Sequence, residues 1–525
     1  MALAPTQPAA AADSTPLDPV LTARLTAGIA ATGATVTTLA PFTGAPLAEL
    51  RQSTASDVDA AYAAAREAQR AWAARSPRER AKPFLKLYGA MLDRQDEILD
   101  LIQLETGKAR HHAFEELLDA ATSTLYAARQ APKVLHPRRR AGALPLLTRT
   151  VETPHPKGVV GVITPWNYPF ALTMDVVPAL LAGNAVVHKP DSQTVLSSLW
   201  PRMLLTELGL PAELWQVVNG DPAEVGRPLL DQADYIGFTG STAAGRAIAE
   251  HASRRLIGCS LELGGKNPML VLADADLDKA VPTAVRACFA NAGQLCVSIE
   301  RIYVHESRFD EFVRRFGAHV GQLTLGAGLG FDADMGSLTS QRQLERVTEQ
   351  VEAARAAGAT VVTGGRPRPD LGPYFYEPTV LTGVTESMPP WREETFGPVA
   401  SVYAFRDDDE AVQAANDTVY GLNASVFSRD TRRARHVAGR IQAGTVNINE
   451  GYAAAYASQA APMGGMKASG IGRRHGTAGL LKYTEPQTVA SQHLLGFDPA
   501  FGLSRAQHVR LFTRALRLLK ALRIR

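Results

Sequence analysis

Hydrophobic positions change their period along this chain. From 57 to 75, "DVDAAYAAAREAQRAWAAR", apolar residues recur three and four apart behind an acidic start, which predicts an amphipathic helix. More helix is expected from about Pro77 to Arg129, broken near "ETGKAR". Basic "PRRR" at 137–140 then reads as the start of a hinge. The stretch "ALPLLTRTVETPHPKG" after it alternates as an edge hairpin does. Past residue 158 the pattern becomes short, unbroken apolar runs: "GVVGVI", "AVVHKP", "WQVVNG", "DYIGFTG" and "CSLELGG". Helix-length stretches separate them, closing on Gly183-Asn184 or on Gly209 and Pro211. Apolar strands alternating with helices predict a parallel sheet covered on both faces, with ligands bound beyond the carboxyl ends of its strands. A second α/β series is expected from near Asp274 to about Glu450, through "ERIYVHE", "ATVVTGG", "PTVLTGV" and "GTVNINE".

A chain of 525 residues exceeds one ordinary core, which agrees with two α/β domains plus a hairpin section. The net charge of +3 argues against a nucleic-acid partner. Three cysteines form no disulfide framework, as expected of a cytoplasmic protein. No metal-ligand spacing occurs, and the pair His111-His112 reads as solvent-facing. Residues 1–20 read as a flexible tail, with no basic n-region of a signal peptide. The stretch Val159 to Val187 holds a single charged residue, Asp175, but its prolines favour strand, loop and helix over a membrane span. Residues 504–525 carry seven basic residues and no acidic one, with Val509, Phe512, Leu516 and Leu519 on one helical face. Such a helix could dock on its own protein, on a neighbouring subunit, or on an anionic membrane surface.

The candidate chemistry gathers at predicted strand ends. "GFTGSTAAGR" (237–246) follows a strand and opens a helix, where backbone N–H groups can hold a phosphate. Its Gly240-x4-Gly245 spacing alone would mean only a tight turn. Lys189 and Trp166-Asn167 end two other strands of the same sheet, so all three should line one crevice. Glu262 ends a further strand, and Gly264-Gly265 after it leave space near its carboxylate. Cys296 lies on a small, polar shoulder of "FANAGQLCVSIERIYV". A thiolate attacking a carbonyl carbon needs a base and oxyanion donors. Glu262 could be that base, with the Asn167 side chain and the Cys296 amide as donors. Cys259 and Cys288 read as buried filler.

The motifs "TPWNYP", "GNAVVHKP", "FTGST", "LELGGKNP", "NAGQLC", "EETFGP" and "PMGGMKASGIGR" stand in order, and across roughly residues 20–495 the chain resembles the aldehyde dehydrogenase superfamily. "KPDSQT", "CSLELGG" and the C-terminal extension look like the actinobacterial-type succinate-semialdehyde dehydrogenases. The resemblance implies an α/β fold with a Rossmann-type cofactor domain (21–143 and 159–271). It also implies an α/β catalytic domain (272–450), a small β oligomerisation arm (144–158 and 476–492) and a basic amphipathic extension (500–525). It makes Cys296 the nucleophile, forming a thiohemiacetal held by Asn167 and the Cys296 amide, then a thioester that water activated by Glu262 hydrolyses. Relatives that pass the thioester to coenzyme A usually lack this base. Glu394 would hold the nicotinamide ribose, Phe396 border the ring and Leu263 lie beside its amide. Lys189, Pro190, Asp191 and Ser192 would meet the adenosine ribose. Thr164, Trp166, Asn167, Gly240, Ser241 and Gly245 would surround the pyrophosphate and the rest of the dinucleotide. A homodimer or homotetramer is expected, and no metal.

Two departures bear on specificity. Ser192 stands where many NAD-preferring relatives have a glutamate that would repel a 2′-phosphate, so NADP is expected to be preferred, with NAD possible. Succinate-semialdehyde dehydrogenases carry arginines at the positions of Asp175 and Ala290. Arg286 and Arg301 are then the other cations for a substrate carboxylate. Tyr168, Tyr452 and Tyr456 are further candidate substrate contacts, and an aromatic entrance would suit an uncharged aliphatic or aromatic aldehyde. A membrane-peripheral enzyme of fatty-aldehyde type is the remaining alternative.

Overall fold

The computed structural model describes residues 17–143, 147–493, 498–499 and 501–523. Most of the expected tail lies outside these residues, and Pro19–Thr26 is a helix whose Leu21 and Leu25 enter the core. The first periodic stretch forms the helix Ala55–Ala73, started by a capping box between Thr54 and Asp57. Three more helices follow, Pro77–Asp93, Gln95–Thr106 and Arg110–Val134. The break at "ETGKAR" is Gly107, in the left-handed conformation that ends a helix cheaply only for glycine.

The first large sheet has six strands. Gly470–Ile471 pairs antiparallel with Gly258–Glu262, followed by Tyr235–Thr239, Val159–Ile163, Ala185–Lys189 and Trp215–Val217, all parallel. Strand order reverses between Val159–Ile163 and Tyr235–Thr239, the switch point at which such sheets open a crevice. The register aligns Ile163 with Lys189 and with Phe238, and Thr239 with Glu262, so the chemistry-bearing ends lie side by side. The apolar run after Ile163 becomes two short helices, Pro169–Thr173 and Val176–Leu181. No helix among the described residues is long and apolar enough to cross a membrane.

The second sheet has seven strands: Thr360–Thr363, Thr379–Thr382, Val399–Phe405, Ile299–His305, Asn267–Val271, Asn423–Phe427 and Thr445–Ile448, with only the first pair antiparallel. A separate three-stranded sheet corrects the edge-hairpin reading. Thr148–Pro156 is its middle strand, between Arg138–Arg140 and Thr484–Gln492, so "PRRR" is strand and not hinge. Of Thr484–Gln492 only Thr484 is buried, leaving a long open edge. The pair His111-His112 is not solvent-facing: His112 is buried, and burial pulls its pKa well below the ordinary histidine range. No group of metal-binding side chains occurs among the described residues.

Candidate active site

A cavity of about 340 Å³ opens at the switch point between the two large sheets. Trp166, Asn167, Gly240, Ser241, Leu263, Glu394 and Phe396 line it together with Glu262 and Cys296. Its floor is the row of strand ends set by the register above. Its far wall is the loop 393–398 and the start of the helix Gln341–Ala356, from which Ser340, Arg342, Gln343 and Arg346 face in. These four carry no signal in the sequence beyond a helix start.

Asn167 is held from three sides. Its carbonyl accepts 2.7 Å from Lys108 Nζ and 3.0 Å from Asn291 Nδ2, while its own Nδ2 donates 3.1 Å to the Gln294 carbonyl. Lys108 is fully buried against Glu116, which also caps the helix Pro169–Thr173 by accepting from the Phe170 and Ala171 amides. Burial lowers the Lys108 pKa, with Glu116 as the largest opposing influence. "ETGKAR" thus contributes a positioning lysine as well as a helix break. The loop before Cys296 carries Asn291 and Ala292 at positive φ, 51° and 52°, a conformation that side chains disfavour and that clusters at functional sites. Gln294 braces it by accepting from the Thr339 amide.

Cys296 is half-buried, and its carbonyl accepts 2.8 Å from Asn267 Nδ2. Its amide has no acceptor among the described residues, as an oxyanion donor requires. Burial pushes its thiol up to about 12, with Arg474 opposing and Glu262 and Glu394 adding to the rise. Glu262 is also buried, and burial lifts its carboxyl to about 7 against Arg474 and Lys482. Its Oε1 is buried without a hydrogen-bond partner, a costly state in a purely structural residue. The room beside it comes from Gly464, where an added Cβ would lie 3.0 Å from Oε1. Gly264 and Gly265 serve another carboxylate: a Cβ on Gly264 would meet Glu394 at 2.3 Å, and the Gly265 amide donates 2.8 Å to Glu394 Oε1. Burial and Glu300 raise Glu394 to about 7. Glu300, paired with Lys266, accepts from the Thr395 and Phe396 amides and so fixes the loop on which Phe396 meets Trp166 edge to face at 5.5 Å.

On the cofactor side, Ser241 caps the helix Thr242–Arg254, whose N-terminus faces the cavity. Gly240 donates to the Glu262 carbonyl, and a Cβ on Gly245 would strike Leu263 at 2.4 Å. The Thr164 hydroxyl lies 2.8 Å from His188 Nε2, and Lys189 Nζ donates to the Pro190 carbonyl. Ser192 donates to the Gly220 carbonyl, and Asp191 accepts from the Gln193 amide.

The substrate-side expectations fare unevenly. Arg301 is not at the site. It is buried in the second sheet, where its guanidinium donates to the carbonyls of Lys266, Ala414 and Ala415. Asp175 is not a bare anion, because Arg474 Nη2 pairs with it at 2.9 Å. Arg286 is spent on Glu450 at 2.5 Å and stacks over Tyr452. The Tyr452 and Tyr456 hydroxyls donate to Glu115 and Asp119, and neither tyrosine lines the cavity as an aromatic entrance would. Tyr168 is buried with its hydroxyl unpartnered and Lys108 Nζ 4.0 Å from its ring centroid. The residue that sequence spacing passed over is Arg474. Burial opposes its charge, yet Asp175, Tyr456, Asp119 and Glu262 hold its guanidinium above the ordinary arginine range. Its partner Asp175 lies 299 positions away, beyond any local pattern.

The profile of the aldehyde dehydrogenase family matches residues 29–489. A Mycolicibacterium smegmatis protein named as a succinate-semialdehyde dehydrogenase [NADP(+)] is 53% identical over 92% of this chain and 93% of its own length. A 3-sulfolactaldehyde dehydrogenase of Pseudomonas putida is 36% identical over 86% of this chain and 93% of its own. The crystal structure of betaine aldehyde dehydrogenase from Staphylococcus aureus with NAD+ superposes with a TM-score of 0.84 at 32% identity, covering 90% of this chain and 94% of that one.

Proposed function

Since the chain belongs to the aldehyde dehydrogenase family and oxidises an aldehyde to a carboxylic acid with a nicotinamide cofactor, we propose that its substrate is succinate semialdehyde, its preferred cofactor NADP+ and its nucleophile Cys296. The observation that carries the reading is the convergence of Cys296, Glu262 and Asn167 on one cavity at the switch point. With its pKa near 12 the cysteine is a thiol at neutral pH, and Glu262, near 7, is the adjacent base that can take the proton. Sγ then attacks the aldehyde carbon, and the Cys296 amide and Asn167 Nδ2 hold the oxyanion of the thiohemiacetal. The bound nicotinamide supplies the hydride acceptor. Glu394 is suited to hold its ribose, the N-terminus of Thr242–Arg254 its pyrophosphate, and Lys189 with Ser192 the adenosine ribose. With the hydride passed to that acceptor a Cys296 thioester would remain; Glu262, once it has given the thiol's proton to solvent, is again a carboxylate and can draw a proton from the water that releases the acid.

A substrate carboxylate needs a cation, and Arg474, ion-paired with Asp175 and outside the cavity lining, is the buried guanidinium whose charge acts on both Cys296 and Glu262. The two relatives above bear names of dehydrogenases for anionic aldehydes, which supports the same reading. Arg474→Gln is expected to lower kcat/KM for succinate semialdehyde about a hundredfold more than for butanal, since losing one member of a desolvated charge pair costs a few kcal/mol. Steady-state kinetics on both aldehydes in one preparation measures this, and Asp175→Asn/Arg474→Gln removes the pair without leaving a lone buried charge. Equal losses on the two aldehydes would make Arg474 structural. A wild-type preference for butanal would overturn the substrate reading and favour an uncharged aldehyde.

The cofactor preference rests on Ser192, at the turn after the strand Ala185–Lys189. Ser192→Glu is expected to shift the NADP-to-NAD ratio of kcat/KM toward NAD by about 10- to 100-fold, because a carboxylate beside the ribose repels a 2′-phosphate. An unmoved ratio would remove Ser192 from the site. The open edge of Thr484–Gln492 supports homo-oligomerisation through the three-stranded sheet. The three unpaired cysteines fit a cytoplasmic enzyme.

A further inference from the structure

The helix Arg505–Ala521 lies outside everything the dehydrogenase reading uses. It starts on a capping box between Ser504 and Gln507 and runs for 17 residues. At 100° per residue, Val509, Leu511, Phe512, Ala515, Leu516, Leu518, Leu519 and Leu522 lie on one half of its circumference, which also holds Arg505 and His508. Arg510, Thr513, Arg514, Arg517 and Lys520 fill the other. Taking the seven basic residues of 504–525 from the net charge of +3 leaves the remainder of the chain at −4, so the positive charge is concentrated here.

Docking on its own protein hides only the middle of the apolar half: His508 is buried and Phe512 and Leu519 are half-buried, while Val509 and Leu516 on one flank and Leu511, Leu518 and Leu522 on the other stay between 49% and 62% exposed. Nor is the basic half neutralised. Arg505, Arg510, Arg514, Arg517, Lys520 and Arg523 form no ion pair with any described residue. Arg510, Arg514 and Arg517 stand four and three positions apart, where like charges repel along a helix. A segment of this length is marginal alone in water, and exposing five large apolar side chains makes it less favourable still.

One kind of surface meets both halves at once. We propose that the helix Arg505–Ala521 lies in the plane of an anionic lipid surface, its leucine-rich half among the acyl chains and its arginines on the headgroup phosphates. The in-plane geometry follows from the arcs: an apolar half flanked by long basic side chains seats at the headgroup boundary and does not span. Anionic headgroups supply the opposite charge that no described residue of the chain provides.

The test is co-sedimentation of the full-length protein with vesicles of phosphatidylglycerol mixed with phosphatidylcholine, against phosphatidylcholine alone. The expected result is at least about tenfold more bound protein on the anionic vesicles, lost in high salt. It should be lost equally in a chain ending at 503, in Arg510→Glu/Arg514→Glu/Arg517→Glu and in Leu516→Asp/Leu518→Asp. None of these residues belongs to the catalytic or binding machinery, so turnover of a soluble aldehyde should stay within about twofold in each variant. Unchanged sedimentation after truncation would overturn the proposal. So would failure of the full-length protein to bind anionic vesicles, and so would truncation that changes the mass of the oligomer without affecting sedimentation, which would assign the face to a second copy.

Discussion

Cys296→Ala is expected to abolish aldehyde-dependent cofactor reduction, a loss of at least about four orders of magnitude, because removing a covalent nucleophile leaves only binding and oxyanion stabilisation. No other thiol can substitute. Cys288 is buried in the core on the helix Leu277–Phe289, and Cys259 sits near the opposite end of the strand that carries Glu262. The fold should survive, since Cys296 lies outside strand and helix and its anchoring contact is through the carbonyl to Asn267, which alanine keeps. Binding of reduced cofactor, followed by its fluorescence, should therefore match the wild type. Cys296→Ser is the sharper variant: it preserves shape and polarity and should be nearly as inactive, since a hydroxyl here is harder to deprotonate than a thiol already pushed to about 12. Residual turnover above about one part in a thousand in both variants would mean that hydride leaves an unattached aldehyde hydrate, and the thioester route would fail.

Two members of the candidate trio were legible from the pattern, since Glu262 ends a strand and Asn167 lies in the loop just after another, whereas Cys296 lies in a loop and was read from its polar surroundings and the resemblance. Apolar runs such as "GVVGVI" and "CSLELGG" are strands buried on both faces, and in a parallel sheet their carboxyl ends must meet at one edge. Asn167 and Glu262 follow from that geometry alone. What stayed hidden depends on where side chains point once two sheets are packed. A strand buried on both faces has no polar alternation, so nothing local reveals that Arg301 turns into the second sheet and donates to the Ala414 and Ala415 carbonyls. The same holds for glycines: Gly264 and Gly265 follow Glu262 in sequence, yet they make room for Glu394 from 129 residues away, while Gly464 makes room for Glu262. Long-range ion pairs are equally silent. Lys108 with Asn167 and Arg474 with Asp175 join chain segments that only the tertiary fold brings together. Asp175 stands where relatives carry an arginine, and its charge can be weighed only together with that of its partner Arg474.

Glu262→Gln is expected to slow turnover, and its pre-steady-state course measures how far each half of the reaction depends on this base. The amide keeps the volume and removes the base, and loss of a positioned base lowers the step it serves by roughly 10²- to 10⁴-fold. If Glu262 serves mainly the hydrolytic step, mixing enzyme with aldehyde and oxidised cofactor should give a rapid burst of about one equivalent of reduced cofactor per active site, followed by a slow steady rate. If it is also needed to deprotonate the thiol, the burst itself should slow. Unchanged turnover would overturn the assignment altogether. The pH profile supplies an independent readout. Burial raises the carboxyl to about 7, so below that pH Glu262 is neutral and cannot accept a proton, and its base form fills in as pH rises through 7. Wild-type kcat should therefore climb through about pH 7 and level off above it, and that limb should vanish in Glu262→Gln. Arg474 and Lys482 pull the carboxyl down while Asp175 pushes it up. The midpoint should accordingly move to higher pH in Arg474→Gln and to lower pH in Asp175→Asn. Opposite shifts from two residues that pair with each other are hard to produce by misfolding, and they would tie the buried ion pair to the base it flanks.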